Sequence, residues 1–440
     1  MKLRRQLGTL GLVFILFFCT SGGAFTTETL VASVGPGLAL AVLVAVPLLW
    51  SLPEVLLVGE LASMLPEEGG YYRWVRRAFG PFWAFQNAWL TWMYSLVDMA
   101  LYPVLFNQYL AYFVPGLGAG TRWAVSLAMI WAATAMNLRG ARPVGRFSVV
   151  TGSFIVLGFL ALAAAAVPHV SHAPWVPFLK GGQGTLGAIG VGLSLALWNY
   201  TGWDNGSTVQ GEVTDASRTY PRALAFGLPL VMLGYLVPLT ATLGASDWTA
   251  WREGGWPEIA LASAGAAGPF LAVWIALAGL VSAVALFNAL LLAYSRVPLA
   301  MADDGLLPAF LARTDARGTP VNAVLASAVC YSIFALAPLQ GLVVADVFLY
   351  ALALFLEFGA LVRLRVREPH LRGAFRIPLG TAGVAALAAL PVAILSVVLW
   401  LETQDAEFGL PAVMGSLVAI ALGPAAYRLA RRYVAKGARG

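Results

Sequence analysis

Two short stretches decide the fold: TSGGAF at 20–25 and WNYTGWDNGSTVQGEV at 198–213. Each lies near the middle of an apolar segment long enough to cross a bilayer, 7–34 and 184–214. Adjacent glycines, or a polar run such as Tyr200-Thr201-Gly202-Trp203-Asp204-Asn205, are poor choices for the centre of a continuous helix. A lone glycine pair in a membrane helix ordinarily serves close packing. Two breaks five spans apart point instead to two five-helix units in opposite orientation. An unwound stretch at mid-membrane exposes N–H and C=O groups that lipid cannot satisfy, so it must line a polar cavity. The half-helix beginning near Ala24 aims its positive end at an anionic group, and freed carbonyls before it suit an ammonium. One small zwitterion would answer both.

Around the breaks the chain reads as membrane throughout. Of 440 residues 60% are hydrophobic and 11% charged, against roughly 25% charged for soluble domains. Twelve apolar segments follow one another: 7–34, 37–64, 81–112, 121–138, 146–167, 184–214, 221–245, 266–300, 319–338, 341–365, 379–402 and 408–428. The connections 168–183, 246–265 and 301–318 are the longest, leaving no room for a soluble catalytic or signalling domain. The expected architecture is all-α and multi-pass, one transporter domain with repeats at 7–167 and 184–365 and two further helices at 379–428. Lys2, Arg4 and Arg5 before an apolar run also fit a signal peptide, but apolar character resumes after Gly23, favouring a first span.

With both termini on the cytoplasmic side, the inside segments carry 24 of the 27 basic residues; Arg122, Lys180 and Arg252 fall outside. The net charge of +6 is therefore topology rather than a nucleic-acid surface, and a cell membrane, plasma or inner, is the expected location. No phosphate-cradling loop and no nucleophile with its base is present. His169, His172 and His370 lie in loops and, with Cys19 and Cys330, show no metal spacing. Neither cofactor nor metal is expected.

Eight acids fall within the segments: Glu28, Glu54, Glu60, Asp98, Asp204, Glu212, Asp346 and Glu357. Such groups face a cavity, a proton or a cationic ligand rather than lipid. Depth selects Glu28, Asp98 and Asp204 as substrate candidates beside Ser21, Gly22, Gly23, Tyr200, Thr201, Gly202 and Trp203, whose ring could close over a ligand. Glu54, Glu60 and Glu212 are expected toward the cytoplasmic ends, as gates or paired with Arg73, Arg139 or Arg218; no basic residue is expected at the depth of the acids. Asp346 is expected near the outer rim. Glu357 is a candidate coupling site, with a helix-to-helix hydrogen bond as the plainer reading.

Residues 21–109 resemble the amino acid-polyamine-organocation permeases in SGGAF, in WSLPEVLLVGELASMLPEEGGYYRWVRRAFGPFWAF at 50–85 and in DMALYPVLFNQYL at 98–110. RTYPRAL, MADDGLLPAF, GTPVNA and FLYALALFLEFGALVRLRVREP extend the resemblance over nearly the whole chain, nearest to the polyamine uptake and L-type amino-acid transporter group. The resemblance implies a twelve-helix LeuT-like fold, substrate held between spans one, three, six and eight, and proton-coupled uptake by alternating access. It also implies that Glu28, Asp98, Asp204 and Glu357 match acids of the polyamine branch. Some proton-coupled members carry a lysine in the fifth span; 146–167 has none, so a sodium ion held by backbone carbonyls and Ser282 stays open beside the proton. The expected substrate is a small amine or amino acid, with a cationic amine favoured because several carboxylates would repel a substrate carboxylate. The alternatives are a neutral amino-acid permease or exchanger, and, from another class, a channel or a nutrient sensor.

Overall fold

The computed structural model describes residues 4–182, 184–335, 342–402 and 409–437. Lys2 and Arg439 of the charge pattern, and the junctions around 338–341 and 403–408, lie outside the described residues. The described chain is helical. Its helices are α1 (Thr9–Thr20), α2 (Thr27–Val34), α3 (Pro36–Val46), α4 (Leu52–Met64), α5 (Gly70–Phe79), α6 (Pro81–Phe113), α7 (Ala119–Asn137), α8 (Ala141–Ala166) and α9 (Thr185–Trp198). Then come α10 (Ala216–Ala245), α11 (Trp256–Ser263), α12 (Gly268–Tyr294), α13 (Arg296–Asp303), α14 (Val321–Phe334), α15 (Leu342–Arg367), α16 (Thr381–Glu402) and α17 (Gly409–Gly437).

Boundaries follow local chemistry. Gly80 stands past the end of α5 with φ 91°, and Pro81 opens α6 at the position where a missing N–H costs nothing. Between α3 and α4 a single π turn, Pro47–Ser51, inserts an extra residue into an otherwise continuous rod.

Seven stretches among the described residues are long and apolar enough to cross a bilayer: Pro36–Met64, Ala141–His169, Ala216–Ala245, Gly265–Asp303, Val344–Arg367, Thr381–Leu401 and Leu410–Arg432. Twelve segments are expected from the sequence. The segments 7–34 and 184–214 are each split by a break, and α14 is a shorter apolar helix. Helices α6 and α7 have the length, but α6 carries Gln86, Asn87, Thr91, Ser95 and Asp98 along its course. Length and apolarity alone thus support a multi-pass membrane protein and leave the span count open.

Layering sorts the helices by burial. The apolar windows of α12 and α15 are 61% and 67% buried, those of α16 and α17 only 22% and 11%. Helix α12 packs against α1, α6, α7, α8 and α11, and α15 against α5 and α6. Exposed Val150, Phe226, Leu233 and Phe270 give the outside an apolar coat suited to lipid.

Candidate functional site

The two breaks form one structure. At the end of α1, the N–H groups of Ser21 and Gly22 both return to the Phe17 carbonyl, at 2.8 and 3.1 Å. Gly22 and Gly23 then take φ of 69° and 114°, backbone that side chains adopt only with strain. Ser282 of α12 donates its hydroxyl to the freed Gly22 carbonyl at 2.6 Å. In the second break Gly202 has φ 106° and lies against the Cys19 carbonyl, with no room for a Cβ. The segment after it, Asn205–Glu212, is a 3-10 helix rather than α; its glycines and short polar side chains give α-helix little support. Thr26 donates to Asn199 at 2.8 Å, tying break to break. Leu7 and Thr214 bind the far ends together through Leu7 N–H to the Glu212 carbonyl at 3.0 Å and Thr214 N–H to the Leu7 carbonyl at 2.9 Å.

Between the breaks is a cavity of about 40 Å³, enough for a few waters. Its walls include Ser21, Phe25, Asp98, Tyr102, Trp198, Thr201, Gly202, Asn205, Tyr294, Asp346 and Tyr350, and no lysine, arginine or histidine. Tyr94, another wall residue, packs edge-on against Tyr294 and Tyr350 with ring centres 5.8 and 5.4 Å apart. Phe25 sits against Tyr109 and Phe159, and Phe159 against Trp256.

Two carboxylates face this space. Asp98 accepts from Tyr102 through one oxygen and from Tyr294 at 2.9 Å through the other. Asp346 is buried, and its Oδ1 has no hydrogen-bond partner. The acid expected at the rim thus shares a cavity with the acid expected at the centre.

Of the other sequence candidates, Ser21, Thr201 and Gly202 line the cavity, whereas Gly22, Gly23, Tyr200, Trp203, Asp204 and Glu28 are not among its lining residues. Trp203 is fully buried with its ring against Gly227 of α10, and Trp198, not Trp203, is among the residues that line the space. Tyr200 donates to the Leu43 carbonyl at 2.9 Å. Glu28, in the first turn of α2, accepts from the Gly254 N–H at 2.9 Å, and its Oε2 is unpartnered. Glu357 is buried on α15, accepting from Asn87 at 3.4 Å, with Oε2 unpartnered. Asp204 Oδ1 and Glu54 Oε1 both meet the Tyr350 hydroxyl, at 2.7 and 2.6 Å. Glu54 is thus at the second break and not at the cytoplasmic end where the sequence puts it; the π turn before α4 accompanies its turn toward the break.

Other acids are held in ion pairs beyond the cavity. Glu212 is held by the fully buried Arg296, with Nε and Nη2 donating to Oε1 at 3.0 and 2.6 Å. Glu60 is held by two nitrogens of buried Arg365. The partners are therefore not Arg73, Arg139 or Arg218, and two basic residues do lie at the depth of the acids. Arg73 instead bonds Asp304 at 2.7 Å, joined there by Arg76 at 2.6 Å and by the Tyr72 hydroxyl at 2.7 Å. Burial and the Asp304 carboxylate push the Tyr72 phenol up from its ordinary value. Among the described residues no group of three His, Cys, Asp or Glu side chains is placed to hold a metal ion.

Comparison with known proteins fits this geometry. The sequence profile described as Amino acid permease matches residues 7–421. A polyamine transporter of Oryza sativa subsp. japonica is 37% identical over 423 residues, 95% of this chain and 77% of that protein. A probable polyamine transporter of Arabidopsis thaliana is 37% identical over 414 residues, covering 90% and 82%. A second Arabidopsis thaliana polyamine transporter is 35% identical over 422 residues, covering 95% and 84%. With a matched profile over nearly its full length, broken helices and a buried polar cavity, the chain belongs to the amino acid permease family and is a multi-pass membrane transporter, not an enzyme.

Proposed function

We propose that this protein takes up a polyamine across the cell membrane by proton-coupled alternating access, with both termini cytoplasmic. Twelve spans in a LeuT-like arrangement, repeats 7–167 and 184–365 with two added helices, fit the paired breaks and the bond between the start of the first and the end of the sixth segment. The observation that carries the substrate class is that Asp98 and Asp346 line one cavity without a cationic side chain among its walls. Two carboxylates in a low-dielectric space require either protons or a cationic ligand. The unpartnered Asp346 Oδ1 is the acceptor left for an ammonium, while Asp98 is already satisfied by two tyrosines. The polyamine transporters of Oryza sativa and Arabidopsis thaliana, matched over nine-tenths of this chain or more, support the same reading.

The test is ligand-dependent stabilisation of the purified protein with putrescine, spermidine, arginine, leucine and alanine. Stabilisation by the diamines supports the assignment. Stabilisation by leucine or alanine alone replaces it with a neutral amino-acid permease whose acids are protonated or serve packing.

A further inference from the structure

The hydroxyl of Tyr350, on α15, has three close neighbours. The Gly202 N–H donates to it at 2.8 Å. Glu54 Oε1 lies at 2.6 Å and Asp204 Oδ1 at 2.7 Å. A phenol carries one hydrogen and donates once. Two short contacts to two carboxyl oxygens therefore need a second hydrogen, and the Gly202 N–H points at the phenol, not at either acid. Were both acids ionised, one carboxylate oxygen would face a phenol lone pair at hydrogen-bond distance, in a buried setting where that repulsion is unscreened.

The second hydrogen must sit on one of the two carboxyl groups. Both oxygens of Glu54 already accept N–H groups, Oε2 from Trp50 Nε1 at 2.9 Å and Oε1 from the Trp203 backbone at 3.1 Å. Asp204 likewise accepts backbone N–H groups, its own and that of Asn205, so the proton belongs to the pair; with Glu54, which also accepts the Trp50 indole, written as the carboxylate, the bonding closes. Asp204 then carries the proton and donates it to the phenol oxygen, while the phenol donates to Glu54. Every lone pair and hydrogen at the Tyr350 hydroxyl is used.

We propose that the Glu54–Tyr350–Asp204 triad is the binding site of the coupled proton, and that this proton latches the second break to α4 and α15. The inference rests on the reading of the chain as a proton-coupled transporter. Its mechanical sense comes from Gly202, whose N–H exists as a free donor only because the helix is broken there; the same phenol that shares the acid's proton caps it. When the Asp204 proton departs to solvent, the Tyr350 phenol retains its own proton, and two carboxylates are left facing one hydroxyl. The contact that closes the break then becomes repulsive, and the segment Asn205–Glu212 is released from α15.

The groups around the triad set this balance. From α6 come Tyr94 and Asp98, from α5 Tyr71, from α15 Glu357, from α10 Tyr220 and from α1 Cys19. The Tyr220 hydroxyl donates to the Trp203 carbonyl at 2.8 Å and so braces the break from α10. Among the described residues no lysine or arginine makes an ion pair with Glu54, Asp204 or Glu357. Negative charge in this cluster is relieved by protons.

The experiment uses the full-length protein in liposomes, with labelled putrescine outside and a pH-sensitive dye inside, and reads protons entering per putrescine entering. This ratio does not depend on how fast a variant turns over. Asp204→Asn is expected to lose the proton component, since an amide supplies the bridging hydrogen permanently. Tyr350→Phe, which removes the bridge but neither acid, is expected to lose it as well. Glu368→Gln, at the exposed clasp with Arg77, is expected to keep the wild-type ratio. Putrescine-dependent thermal stabilisation of each variant confirms that it is folded. An unchanged ratio in folded Asp204→Asn and Tyr350→Phe overturns the triad while leaving proton coupling intact. Transport by the wild type with no proton entry at all overturns coupling itself, and the triad with it.

Discussion

The Ser282 hydroxyl donates to the Gly22 carbonyl at 2.6 Å, so the middle of α12 holds the first break open. A Cβ at Gly22 would fall 2.7 Å from both that hydroxyl and Leu286. Gly22→Ala is therefore expected to abolish transport, through a left-handed backbone strain of roughly 1–2 kcal/mol plus displacement of the α12 contact. Ser282→Ala leaves a buried carbonyl unsatisfied, at about 1–3 kcal/mol, and should lower the melting temperature and slow uptake. Normal uptake by Gly22→Ala would make the break a packing feature only.

Asp346 offers an unpartnered oxygen to the cavity, whereas Asp98 offers none. Asp346→Asn should weaken putrescine binding roughly ten- to a hundredfold, from a charged hydrogen bond of about 1.5–3 kcal/mol. The effect on a neutral amino acid should be small or opposite in sign. Isothermal titration of both ligands against the variant checks this, and equal losses for both would take Asp346 out of amine recognition.

Arg296 is fully buried and spends two nitrogens on Glu212 and a third on the Ser295 hydroxyl, at 2.9 Å. Arg296→Met leaves the Glu212 charge buried and uncompensated, a loss of about 3–5 kcal/mol. The double variant Arg296→Met with Glu212→Gln should recover most of the monodisperse yield. Failure of the double variant to improve on the single one would mean that Arg296 serves another partner, such as Glu68 at 3.8 Å.

The end of α15 is clasped to α5 by Arg77, whose Nη2 meets Glu368 at 2.6 Å. That hydrogen bond draws the Glu368 carboxyl below its ordinary value, with the Arg77 charge adding to it. A depressed acid contributes stability above its unfolded value and loses it as pH falls through the folded one. Acidification below the ordinary carboxylate range should therefore release the clasp, with no effect on the alkaline side. The pair is half exposed, so Glu368→Gln should remove less than about 1 kcal/mol of the acid-side slope. A melting-temperature profile from neutral to acidic pH, wild type against variant, reads it.

The breaks are legible in the sequence because two glycines, or a run of small polar residues, are conspicuous inside an apolar span. Asp98 is legible by its distance from both span ends. Counting along a span puts Glu54 and Asp346 at the periphery because it assumes a straight, centred rod. The π turn at 47–51 interrupts that rod before α4, and Asp346, near the start of α15, lines the same cavity as Asp98 only through tertiary packing. Partner choice is beyond reach for a different reason. Glu60 and Arg365 are 305 residues apart, and no local pattern in either segment names the other. Tyr350, the third residue of FLYALALFLEFGALVRLRVREP, does not stand out because a tyrosine in a membrane span is ordinary; only its three neighbours make it a junction.

A site with room for only a few waters has a consequence for the membrane around it. Protein reconstituted without substrate is therefore expected to leave the sodium, potassium and proton permeability of the vesicle unchanged, which ion-sensitive dyes read. A cell could hold many copies of this carrier in its membrane, idle between encounters with substrate, without short-circuiting its ion gradients.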